Sequence, residues 1–347
     1  MIRLLRFACS LLLIGLTFGV LNAAAAPATA SNGGWVEVGF GSASRGAGVS
    51  QTFGFSRNPS LAIGSDGTAV IAWEDDSSWN QEIYVKLWNG SGWVEMGPGS
   101  ASGGGVSDTV SGSTEPAIAV ASDGRPVIAW VERESEYSRG EIYVKGWDGL
   151  AWVEMGTGSA SGGGISNSED SYSSTPSLAI GPDGLPIIAW SEGLAGMGWI
   201  YVKKWDGSAW VELGAGSASG GGIGGGLGSP ERPSLAIDPD GKPIVAWEGN
   251  LSMSREIYVK RWNGSSWIEM GTGSASGGGI SNNKTNSASP SLAIGPGGAP
   301  VVAWEDRYED QGRIYVRRWN GSAWVEMGAG SATADGIGSN PGQNKIP

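Results

Sequence analysis

Acidic side chains recur at one place in this chain of 347 residues, just after a tryptophan that closes the words AVIAW, PVIAW, PIIAW, PIVAW and PVVAW. They are Glu74 and Asp75 after Trp73, Glu132 after Trp130, Glu192 after Trp190, Glu248 after Trp247, and Glu305 and Asp306 after Trp304. Carboxylates gathered in this way could hold calcium, which prefers hard oxygen ligands, or act as acid and base on a glycosidic bond. They could equally cap loop amides at the ends of strands. The chain has no histidine, which removes histidine general bases, serine–histidine triads and histidine-ligated zinc. Only carboxylate chemistry is open to it. Glycosidases use two carboxylates at unequal, specialised positions, whereas acids repeated with the sequence suit multivalent binding. No dedicated calcium loop is present, so no cofactor is expected apart from calcium held by these acids.

A second set of residues is aromatic. Trp79 and Trp199 fall outside the repeated words, each shortly before an IYVK run, and Tyr137 and Tyr308 occupy the corresponding segments of other copies. Exposed rings there would stack on a sugar or another flat apolar face; covered by loop neighbours, they would be packing.

The elements that must position these groups are legible as a repeat. A hairpin word recurs as IYVKLWNGSGWVEMG, IYVKGWDGLAWVEMG, IYVKKWDGSAWVELG, IYVKRWNGSSWIEMG and IYVRRWNGSAWVEMG, with a period of 57–59 residues. Each copy holds four short segments: A (PSLAI or PAIAV), B (the word ending in AW), C (IYVK or IYVR) and D (WVEMG and variants). A and B are apolar and β-branched, as strands covered on both faces are; C and D mix apolar and charged residues. Asp-Gly or Gly-Gly between A and B marks a tight turn. Within each hairpin the two tryptophans are five apart, so a four-residue loop sets them face to face and places Lys86, Lys145, Lys203, Lys260 and Arg317 opposite Glu95, Glu154, Glu212, Glu269 and Glu326. As exposed ion pairs these would be worth about 0–1 kcal/mol each. The reading is an all-β, five-bladed β-propeller of four-stranded antiparallel blades. A sixth D word, WVEVG from Trp35, precedes the first A; we expect it to serve as the outer strand that closes the ring.

Spacing separates the two rims of such a disc. From the proline of A to the tryptophan of B is always 14 residues, and from the isoleucine of C to the tryptophan of D always ten. All variation in length falls in the B–C and D–A connections, which also carry the acids and non-repeat aromatics. Ligands are expected on that rim.

Residues 1–30 read as a signal peptide and processing region: Arg3 and Arg6, then FACSLLLIGLTFGVL, then NAAAAPATA. The propeller is assigned to 31–339 and a tail to 340–347. Removing Arg3 and Arg6 leaves 34 acids against 20 bases, a net charge of −14. Such a chain repels phosphate, so neither nucleic acid nor an anionic membrane is an expected partner. The only cysteine, Cys9, lies in the signal region, which leaves the remainder without a disulfide. A secreted or periplasmic monomer is expected, with glycans or cell-surface proteins as partners.

The pattern PSLAI-x-PDG-x-P-x-x-AW followed by IYVK-x-WNG-x-x-W resembles secreted bacterial tandem-repeat β-propellers, grouped with sialidase-like and kelch-like repeats. The WDGSAW stretch is similar to a word in fucose-binding propeller lectins. The resemblance implies a propeller and an extracellular, glycan-related role. It transfers no catalytic residue, because the Ser-x-Asp-x-Gly-x-Thr-Trp box of sialidases is not reproduced. Three functions stay open: a non-catalytic binding propeller, a carboxylate-based glycoside hydrolase, and a structural surface protein.

Overall fold

The computed structural model describes residues 36–39, 41–43, 48–133, 139–168, 170–194, 196–250, 254–283, 285–308, 311–333 and 336–337. The expected signal region, residues 1–30, and the tail, 340–347, lie outside the described residues. The fold is all-β, a five-bladed β-propeller whose blades are four-stranded antiparallel meanders. The first blade is β1 (Ser56–Ile63), β2 (Ala69–Asp75), β3 (Glu82–Trp88) and β4 (Trp93–Glu95). The second is β5 (Gly112–Val120), β6 (Pro126–Arg133), β7 (Glu141–Trp147) and β8 (Trp152–Glu154). The third is β9 (Tyr172–Ile180), β10 (Pro186–Leu194), β11 (Met197–Trp205) and β12 (Trp210–Glu212). A strand with no counterpart in the repeat words, β13 (Gly224–Leu227), adds to the third blade by pairing with β11. The fourth blade is β14 (Glu231–Ile237), β15 (Pro243–Gly249), β16 (Glu256–Trp262) and β17 (Trp267–Glu269). The fifth is β18 (Asn286–Ile294), β19 (Pro300–Tyr308), β20 (Gln311–Trp319) and β21 (Trp324–Glu326).

The expected hairpin register is the observed one: Trp205 faces Trp210 and Lys203 faces Glu212, with the same pairing in the other blades. Ring centroids of the facing tryptophans are 5.7–5.9 Å apart. The expected ion pairs do not form among the described residues. The lysines reach backward instead: Lys145 Nζ donates to Val106 O, Lys203 to Ile165 O and Lys260 to Ile223 O, at 2.7–2.8 Å. The glutamates reach forward, Glu212 accepting from the amides of Gly216 and Ala218, both at 3.0 Å. Each charge thus satisfies backbone of a crossover, the segment that leads from one blade to the next. Backbone groups of irregular segments need partners, and here the side chains of C and D supply them.

The tryptophan pairs staple neighbouring blades. The second ring of each pair donates Nε1–H to a carbonyl of the preceding blade: Trp152 to Met96 O, Trp210 to Met155 O, Trp267 to Leu213 O and Trp324 to Met270 O, all at 2.9 Å. The first ring lies on a glycine of that same blade. A Cβ built on Gly156 would stand 2.9 Å from the Trp205 ring, and the residue has φ of +89°; both facts demand glycine there.

Inner strands pack in the order β1, β5, β9, β14, β18, and four apolar cores fill the successive gaps between blades. Among the described residues no core of that kind joins the fifth blade to the first. Leu61 and Ile63 on β1 are 58% and 65% exposed, where Leu235 and Leu292 in later inner strands are 7% and 8%. Residues 37–39 and 48–50 lie instead against the outer strands β3 and β4 of this blade. Val38 O accepts from Trp93 Nε1 at 2.8 Å, Gly39 lies against Trp88, and Lys86 Nζ donates to Val49 O and Ser50 O at 2.8 and 3.1 Å. The N-terminal segment therefore occupies on the first blade the seat that a crossover occupies on every other blade. The last blade owns its outer strand, β21, paired with β20. The expectation that the N-terminal WVEVG word supplies that strand is corrected: blade five is already complete, and Trp35 itself lies outside the described residues.

Candidate functional site

Strand alternation divides the acids after the B tryptophans into two sets, because successive side chains point to opposite faces. Asp75, Glu132, Glu192 and Asp306 stand two residues after their tryptophan; Glu74, Glu248 and Glu305 stand one after. The acids that recur after the B tryptophans therefore form two different structures.

The first set turns inward against the crossover arriving from the preceding blade. Glu132 Oε2 accepts from its own Trp130 Nε1 at 2.8 Å and from Ser113 Oγ at 2.7 Å, while Oε1 accepts from Thr109 Oγ1 at 2.7 Å. Asp75 takes Trp73 Nε1, Thr52 and Ser56 in the same manner. Glu192 takes Trp190 Nε1, Ser171 and Ser173, and Asp306 takes Asn283, Thr285 and Ser287. Burial raises the Asp75 pKa, but hydrogen bonds from Ser77, Thr52 and Trp73 outweigh it and hold the carboxyl below its ordinary value.

The second set splices blades around the inner strands. Before each strand-A proline stands a non-glycine residue with left-handed backbone: Asn58, Glu115, Thr175, Arg232 and Ser289, with φ of +48, +56, +49, +50 and +54°. In Glu115, Thr175, Arg232 and Ser289 the amide points back at the preceding blade. Glu74 Oε1 accepts from Glu115 N and Glu248 Oε2 from Ser289 N, each at 2.5 Å, while Ser191 Oγ takes Arg232 N at 3.1 Å. Glu248, fully buried, also binds Arg232 and Arg255 at 3.0 and 2.5 Å. Glu305 pairs with Arg307 at 2.8 Å, and that hydrogen bond lowers its pKa. These carboxylates are occupied by the protein itself. Among the described residues, no group of three or more acids, histidines or cysteines is arranged to hold a metal ion.

The aromatic candidates separate as well. Tyr137 lies outside the described residues, and Tyr308 is placed only by its backbone, opposite Gln311 at the end of β19. Trp199 sits within β11 and not in a loop; it pairs with Glu192 on one side and Gly225 on the other, half-buried, with its ring 6.4 Å from that of Tyr201. Trp79 is different. It is 98% exposed and has φ of +82°, a conformation that bulky residues avoid. Beside its loop runs the segment of Phe53 and Phe55: Phe55 N donates to Asp76 Oδ1 at 2.6 Å, and Gly54 lies close against the backbone of Ser77. Phe53 and Phe55 are both exposed, and Arg57 stacks on Phe55 at 5.2 Å. The sequence repeat hides these two phenylalanines because they precede the first A segment; the signal was their standing among only five phenylalanines in the chain.

Three further acids begin strand C. Glu82 and Glu256 are buried, and Glu141 is half-buried. Glu82 accepts from Ser107 Oγ and from Asn80 Nδ2, yet burial pushes its pKa above the usual carboxylate value, as it does for Glu141.

No family model matches this sequence, and no curated relative matches it. Solved structures do. A protein of unknown function from Dyadobacter fermentans DSM 18053 is similar over 81% of this chain and 85% of its own, at 11% identity and a TM-score of 0.53. A Hadza microbial sialidase, Hz136, is similar over 79% of this chain and 58% of its own, at 13% identity and a TM-score of 0.50. At such identities the likeness is one of fold.

Proposed function

We propose that this chain is an exported, non-catalytic binding propeller that holds glycan on the rim formed by the B–C and D–A connections. The observation that carries the reading is Trp79, held outward on left-handed backbone and flanked by the exposed Phe53 and Phe55. Flat aromatic faces that burial does not explain suit stacking against the apolar face of a sugar ring. The rim carboxylates support binding over hydrolysis, since those after the B tryptophans are engaged by tryptophan, serine, threonine, arginine or backbone donors. The sialidase neighbour is consistent with a glycan-related role. Export rests on residues 1–30, whose basic, apolar and small-residue stretches follow the order of a secretory signal. No helix among the described residues is long and apolar enough to cross a membrane.

The test is a glycan array and a polysaccharide affinity gel, run with wild type and with Phe53→Ala/Trp79→Ala. We expect the double variant to keep its melting temperature and lose at least about tenfold in affinity, since each stacked ring contributes on the order of 1 kcal/mol. Retained binding would move the site elsewhere. Turnover in a parallel glycosidase panel would favour the hydrolase reading instead.

A further inference from the structure

The gap between the third and fourth blades breaks the repeat at two facing positions. Where Asp75, Glu132, Glu192 and Asp306 stand in their blades, the fourth blade has Gly249. Where the other crossovers carry Ser107, Ser166 and Ser281, the crossover into this blade has Gly224, at the start of β13. The Trp247 ring fills the space at Gly224, where a Cβ would stand 2.6 Å from it, and beside Gly249 a cavity of about 240 Å³ remains, lined among others by Gly224, Trp247, Gly249, Asn250, Tyr258 and Lys260.

Trp247 Nε1 lacks the acid acceptor that three of its four counterparts have; the fourth, Trp304 Nε1, is buried without a partner. Trp73, Trp130 and Trp190 give Nε1–H to the carboxylate two residues on, at 3.0, 2.8 and 2.8 Å, whereas Gly249 offers Trp247 no side chain. The Trp247 ring has turned to 30° from Tyr258, against 69–89° for the equivalent pairs. The strand-C lysine keeps its bond to the crossover, Lys260 Nζ to Ile223 O at 2.7 Å, but strand B offers it no acid, having Gly249 there.

We propose that this cavity binds a small carboxylate, whose oxygens fill the place of the missing Asp or Glu side chain between Trp247 and Lys260. A carboxylate meeting an ammonium and an indole N–H out of bulk water forms charge-assisted hydrogen bonds, stronger than those of a neutral isostere. The volume equals that of about eight waters at ~30 Å³ each, which suits a short-chain acid or the carboxylate end of a uronic acid. The site uses none of the residues of the aromatic patch and does not depend on it.

The experiment follows the indole ¹H–¹⁵N resonance of Trp247, identified with Trp247→Phe, during titration with acetate, acetamide, glucuronate and glucuronamide. A saturable shift with the acids and not with their amides is expected, and whichever acid binds tighter distinguishes a free short-chain acid from an acidic sugar. Gly249→Asp restores the internal carboxylate and should abolish the response. The substitution has room, since a Cβ at Gly249 would meet Pro230 and Tyr258 at an ordinary 3.4–3.6 Å. Lys260→Gln should weaken binding at least about tenfold. The proposal is overturned if neither acid gives a saturable shift, if the amides match the acids, or if Gly249→Asp responds like wild type. Should a variant fail to fold, the comparison of acids with amides on wild type decides alone.

Discussion

Trp210 shows how much one ring carries in this protein. It meets Trp205 across the hairpin at 5.7 Å and donates Nε1–H to Met155 O in the blade before. Trp210→Phe should keep most of the contact and lose the hydrogen bond, a cost of about 1 kcal/mol. Trp210→Ala should cost about 2–3 kcal/mol, discounted from the ~3–5 of a fully buried ring because this one is half-exposed. Denaturant unfolding of both variants checks the ranking, and equal losses would mean that the ring is anchored by its hydrogen bond alone. Glu82 gives a pH-dependent case. Burial raises its folded pKa, so the stability it contributes is full below the free-glutamate pKa and is lost as pH rises through the raised value. Glu82→Gln carries no charge to bury. Its melting temperature relative to wild type should therefore climb between pH 4 and pH 8, and a flat difference would contradict the buried-carboxyl reading.

At the scale of the element, the crossover is what the repeated charges serve. Glu212 grips the amides of Gly216 and Ala218, and Ser219 contributes most to keeping its pKa low. A depressed carboxyl stabilises above the free-glutamate pKa and stops doing so as pH falls through its folded value. Glu212→Gln should lower the melting temperature at pH 7, and the difference from wild type should vanish near pH 3. Strands, turns and register were readable because each copy restates the same apolar words and the same Trp-x-x-x-x-Trp spacing. The partners of the charges were not, since Lys203 and Glu212 do stand opposite one another and only the path of the crossover shows that both reach elsewhere. Composition likewise concealed β13, a glycine run with no strand propensity that pairs because β11 offers an open edge. The rim acids were found by position, but alternation along the strand, which sends Glu74 and Asp75 to different blade faces, was needed to tell their roles apart.

Across the whole molecule, stability should be graded along the repeat, as in arrays where each unit is held by its neighbours. The inner strand β9 packs against both β5 and β14, whereas β1 leaves Leu61 and Ile63 exposed. Amide hydrogen exchange under native conditions should be at least about tenfold faster in β1 than in β9. Uniform protection would indicate that the fifth and first blades seal in solution. The interlocking crossovers also carry a mechanical meaning. Because Lys145, Lys203 and Lys260 each hold the crossover of the blade before, a chain pulled from its two ends must release those locks one after another. Tension would then be shed in near-equal steps, each paying out one repeat of 57–59 residues, about 20 nm of extended chain, so that the disc behaves under load as a ratcheted extensible tether.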